Sequence, residues 1–191
     1  MKGFALAVGV GLLVGALTAY AQGWLSDATN SLANSAGPWS VATFLVARFT
    51  RRLPVAVAAA MLTLACCELG YALATVVRGD SNSTTTVLFW LTAAVVAGPP
   101  IGVAAAWSTQ PGLQRGVGFA VIGGVLLGEG VYGWTTVADT TDWRYWAVES
   151  VIGATVVLVA AVRSQWPRHG LVTLAMGALT AAVVFAVGRT A

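Results

Sequence analysis

A chain of 191 residues that is 58% hydrophobic and only 9% charged, with a mean hydropathy of +0.80, is not a soluble globular domain, for which ~25% charged residues is usual. A pI near 9.2 could be taken as a nucleic-acid signal, but the basic residues fall in the loops of one membrane face, so the lipid bilayer is the expected partner and nucleic acid is excluded. Cys66 and Cys67 are adjacent and cannot form an ordinary structural disulfide with each other, and no metal-ligand spacing occurs.

The expected architecture is all-α, a single transmembrane domain over 1–191. The first span covers 3–21. Ala19-Tyr20-Ala21 resembles a signal-peptide cleavage site. Against that, Ala7, Gly11, Gly15 and Ala19 form a small-residue stripe on which a neighbouring helix can pack closely, so the span is read as retained. A polar stretch with Asp27, Asn30, Ser31, Asn34 and Ser35 leads into Gly37-Pro38-Trp39 and an apolar run ending at Ala47. That run is about a dozen residues, short of the ~20 a span needs. The second helix, over 30–47, must therefore carry Asn30 and Asn34 into the membrane or begin as a broken or re-entrant element. Either is tolerated only where protein or a cavity covers the polar groups.

The remaining spans are expected at 54–77, 85–107, 116–137, 145–162 and 171–187, the fourth broken in character at Gly98-Pro99-Pro100. With seven spans and the N-terminus inside, Lys2, Arg48, Arg51, Arg52, Arg115, Arg163 and Arg168 share one face without an acid. Asp27, Asp80, Asp139 and Asp142 fall on the other, with Arg78, Arg144 and Arg189. The positive-inside rule then puts the protein in the cell membrane as a multi-pass chain, N-terminus cytoplasmic and C-terminus outside.

Two glutamates interrupt the apolar spans in register. Glu68 follows Gly37-Pro38 and Glu129 follows Gly98-Pro99 by the same 31 residues, and Tyr71 and Tyr132 come three residues after each. The offset is a constant 61, so 30–77 and 91–138 form a tandem two-helix repeat, with 143–188 read as a decayed third copy. An acid at bilayer depth costs ~2.5–3.5 kcal/mol or more on insertion scales and marks function by default. Glu68, Glu129 and Asn34 each lie 14 residues from the basic face, about 21 Å at helical rise, and Glu149 comes close to the same level from the other side. One pocket between repeats is the expectation.

Eight tryptophans are many for this length. Trp24, Trp143 and Trp166 flank spans as interfacial anchors do. Trp39, Trp90, Trp134 and Trp146 lie within a few turns of the carboxyl level, and Tyr71 and Tyr132 share a face with their glutamates. Electron-rich rings around acids attract cations, by ~2 kcal/mol or more without water. Burial disfavours charge, and no Lys or Arg stands near this level within the spans, so at least one carboxyl is expected to be neutral. A proton relay, a cation site and a general acid acting on an apolar molecule all fit.

Glu68-Leu-Gly-Tyr71 and Glu129-Gly-Val-Tyr132-Gly-Trp134, in a small seven-span chain with a tryptophan-rich acidic pocket, resemble the integral-membrane terpene cyclases of meroterpenoid pathways. The resemblance is closer to the short actinobacterial indole-sesquiterpenoid (drimentine-type) cyclases than to the fungal enzymes. It implies that Glu68 or Glu129 protonates an alkene or epoxide of a prenylated, lipophilic substrate, that the partner acid orients the donor, and that aromatic faces stabilise the carbocations. Final deprotonation would fall to Glu149, a tyrosine or water. The sequence has no Asp-rich DDxxD motif for Mg²⁺-assisted loss of diphosphate, so such a cyclase would start by protonation, with no metal or cofactor. Two other readings remain open: a small proton-coupled carrier or vitamin-transporter binding subunit, and a structural role in which the glutamates only fix helix packing. The sequence also leaves a homo-oligomer open.

Overall fold

The computed structural model describes residues 2–50, 52–164 and 166–190. Arg51 and the Lys2 side chain, both assigned above to the basic face, lie outside the described residues. The fold is all-α. In chain order the elements are α1 (Lys2–Trp24), α2 (Asp27–Asn30), a 3-10 turn over Ser31–Ala33, α3 (Gly37–Arg48), α4 (Leu53–Val77), α5 (Thr84–Ser108), α6 (Leu113–Tyr132) continued by a π-helical turn over Gly133–Val137, α7 (Trp143–Val162) and α8 (Pro167–Gly188).

Among the described residues, six helices are long and apolar enough to cross a bilayer: α1, α4, α5, α6 with its π turn, α7 and α8. Seven spans were expected. The second is instead a polar break followed by α3, whose 12 residues reach only about 18 Å. Side chains explain the break. Asn34 Nδ2 donates to the Asn30 carbonyl at 3.0 Å and to Asn30 Oδ1 at 2.9 Å, the local competition with backbone bonding that polar residues offer. The expected repeat aligns Asn30, Asn34 and Ser35 with Leu91, Val95 and Val96, and there α5 runs unbroken for 25 residues, through Pro99 and Pro100.

The backbone groups into two compact units, 1–25 with 38–106 and 26–37 with 107–191. The first is built on α1 against α4. Ala7, Gly11, Gly15 and Ala19 are all buried. A Cβ on Gly15 would strike the Cys67 carbonyl and one on Gly11 the Thr63 carbonyl, so the backbones touch where the small-residue stripe predicts close approach. The register rises along both helices, which are therefore parallel. Parallel neighbours need a return, and α3 supplies part of it: Trp39 Nε1 donates to Thr18 Oγ1 at 3.0 Å, while Thr50 lies against Gly3.

The second unit is built around α6. Gly116, Gly124 and Gly128 meet Thr173, Gly177 and Ala181 of α8 in parallel register. Gly123 and Gly130 meet Gly153 and Ser150 of α7, which runs antiparallel. α6 is thus packed through glycines on two faces, and this brings α7, with its own carboxyl, directly beside it.

Candidate functional site

Within the second unit the polar break folds against α7. Its last residues reach the acids. The Ala36 N–H donates to Glu129 Oε1 at 2.7 Å, and the Gly37 N–H and Ser35 hydroxyl face the same carboxyl. Ser35 Oγ donates to Glu149 Oε1 at 3.3 Å and itself accepts from the Tyr145 hydroxyl at 3.0 Å and the Gly37 N–H at 3.2 Å. The Tyr145 hydroxyl also stands 3.5 Å from Glu149 Oε1.

Gly37 is where the two carboxyls meet. A Cβ on it would have both Glu149 Oε1 and Glu129 Oε2 within 3.1 Å, along with Leu126 Cδ2, so only glycine leaves the acids this space. Glu149 is buried, at 5% exposure. Glu129 Oε2 and Glu149 Oε2 are buried and have no hydrogen-bond partner among the described residues. One oxygen of each acid is therefore held by the break, and the other is left for a ligand or a proton.

The aromatic surroundings on this side are Tyr145 and Trp146, whose rings meet edge to face at 4.9 Å. Trp146 is 4% exposed, its ring lies against Gly133 in the π turn, and its Nε1 donates to Thr141 Oγ1 at 2.8 Å. The arrangement suits proton holding, cation binding or proton donation next to electron-rich rings.

A family model matches residues 1–191. The chain belongs to DUF6518, a family of unknown function. No curated protein and no solved structure matches it.

Of the residues singled out in this DUF6518 sequence, the structure brings Glu129 and Glu149 together, with Trp146 one ring away. Tyr132 lies against Gly188 of α8. Trp134, 53% exposed, pairs with Trp143 at 6.5 Å on the surface. Asn34 is exposed, and its amide turns back to Asn30 rather than to the acids. Glu68, Trp39, Tyr71 and Trp90 belong to the first unit. There Glu68 is 3% exposed, Trp39 meets Tyr71 edge-on at 6.3 Å, and the Tyr71 hydroxyl donates to Gln22 Oε1 at 2.9 Å. Trp90 is 42% exposed and packs on Phe89.

Sequence reasoning missed Ser35, Tyr145 and the Ala36 amide. Tyr145 had a signal, since it stands four residues before Glu149 and shares its helix face. The Ala36 amide had none, because a backbone N–H carries no sequence mark.

Proposed function

We propose that the protein is a membrane-embedded terpene cyclase in which the Glu129–Glu149 pair holds the proton that starts the reaction. The observation that carries this reading is the convergence of the two buried carboxyls at Gly37, each with one unpartnered oxygen. Two carboxyls side by side and away from cations favour sharing one proton between them. The Ala36 N–H and Ser35 hydroxyl then act as fixed donors to the resulting carboxylate.

In the proposed reaction the terminal alkene of a prenylated aromatic, such as a farnesylated indole, takes the proton. Its π electrons form the new C–H bond, the O–H bond breaks, and a tertiary carbocation remains opposite the carboxylate. The next alkenes attack in turn as rings close, with the Tyr145 and Trp146 faces against the positive charge. Loss of a proton from carbon to the carboxylate gives a product isomeric with the substrate and restores the acid. The starting proton is assigned to the pair because, within the second unit, Glu129 has both an orienting amide from Ala36 and a partner acid in Glu149. This reading keeps the chain in the plasma membrane with the N-terminus on the cytoplasmic face and the C-terminus outside. The seventh crossing is the polar break with α3, which the parallel course of α1 and α4 supports.

One observation favours a second reading, a proton- or cation-coupled carrier. Unwound backbone from an interrupted helix reaches the carboxyls, as interrupted helices do at carrier sites. Purified protein in detergent, given a farnesylated indole and no gradient, separates the two. The cyclase reading expects cyclised isomers of unchanged mass, and about 10²-fold or greater loss in Glu129→Gln. Recovery of unaltered ligand, with gradient-driven uptake in proteoliposomes, would overturn it in favour of the carrier.

A further inference from the structure

At the opposite end of α6 from the acids, the second unit contains a cleft of about 430 Å³. It is walled by Pro111, Gly112, Arg115 and Phe119 on one side and by Ala160, Arg163 and Ser164 on the other. Two guanidiniums share it, and neither makes an ion pair among the described residues. A cleft lined by two cationic side chains focuses a positive field that draws anions to it.

The surroundings fix the depth. Trp166, 56% exposed, stands next to the start of α8 with the Arg168 guanidinium 5.8 Å from its ring, the indole-plus-cation arrangement of a membrane–water interface. One residue before Arg163 the surface turns apolar: Val162 is 83% exposed and Val159, a turn earlier, 43%. The cleft therefore opens where a headgroup meets acyl chains.

We propose that the Arg115–Arg163 cleft binds the phosphate of an anionic phospholipid, with an acyl chain lying along Val159 and Val162 of α7. A phosphodiester oxygen can take charge-assisted bonds from both guanidiniums at once. Phe119 and Ala160 supply an apolar wall that free phosphate would not use. The site is independent of the carboxyl pair and of the reaction proposed there.

The test uses the full chain in nanodiscs of phosphatidylcholine mixed equally with phosphatidylglycerol, then released into the gas phase to count retained lipids. Each arginine near an anionic headgroup contributes ~1 kcal/mol, so roughly 30-fold preference for phosphatidylglycerol over phosphatidylcholine is expected. The preference should vanish in Arg115→Gln/Arg163→Gln and persist in Arg144→Gln, whose arginine lies in the Asp142 pair outside the cleft. Ala160→Trp, which fills the cleft and keeps both arginines, should also lose it and guards against a double variant that folds poorly. Unchanged preference in both cleft variants would overturn the proposal. So would inorganic phosphate displacing the retained lipid as effectively as added phosphatidylglycerol, which would make this a free-anion site.

Discussion

Glu68 and Glu129 hold corresponding positions in the sequence and sit in different surroundings. Glu68 is buried on α4, in a unit where α1 and α4 touch backbone to backbone. Glu129 sits on α6 facing a second acid from α7, and the polar break reaches both, with the Ala36 N–H on Glu129 and the Ser35 hydroxyl on Glu149. Each glutamate is followed by a tyrosine three residues on and preceded by Gly-Pro at the same spacing. What differs in sequence is the stretch before Gly-Pro, Asn34-Ser35-Ala36 at one place and Val95-Val96-Ala97 at the other, and in the second unit Glu149 stands beside Glu129.

The sharpest way to break this contrast is to neutralise each acid in turn. Glu129→Gln should lower the proposed turnover by roughly 10²–10⁴-fold, the range of a general acid, while Glu68→Gln should stay within a few-fold. Initial rates of isomer formation decide it, and equal losses in both would remove the distinction between the units.

Next in size is a pair of glycines. Both Gly15 and Gly37 lack room for a Cβ, but Gly15 faces a backbone carbonyl and Gly37 the movable ends of two carboxyls. Gly15→Ala should cost about 1–3 kcal/mol because two helices must separate. Gly37→Ala should cost less in stability and more in turnover. Thermal unfolding in detergent beside the rate assay reads both.

Ser35→Ala removes the hydroxyl that joins Tyr145 to Glu149 and should destabilise by about 0.5–1.5 kcal/mol. Double-variant cycles with Tyr145→Phe should show the two changes to be non-additive, since they remove one network. The smallest effect belongs to the Arg78–Asp80 pair, 3.4 Å apart with Asp80 largely exposed: Asp80→Asn should change stability by less than ~1 kcal/mol.

Much of this could be read in advance. Apolar length located six of the long helices to within a few residues, because ~30 Å of hydrocarbon demands about 20 apolar residues whatever the neighbours are. The spacing of Ala7, Gly11, Gly15 and Ala19 announced a close helix contact, since only small side chains let backbones meet. The dozen apolar residues before Arg48 announced that the second element was irregular. The tryptophans were less legible: Trp90 and Trp134 stand at the right level by counting, yet both are substantially exposed. Level along a helix does not fix the direction a side chain takes around it.

By itself, then, the sequence determined the all-α membrane class and the long apolar helices, since each follows from local composition and period. Only tertiary structure decided which acids meet. That choice depends on glycine contacts setting the register of α6 against α7, and on a backbone amide at Ala36 that exists as a donor only because the helix breaks before it.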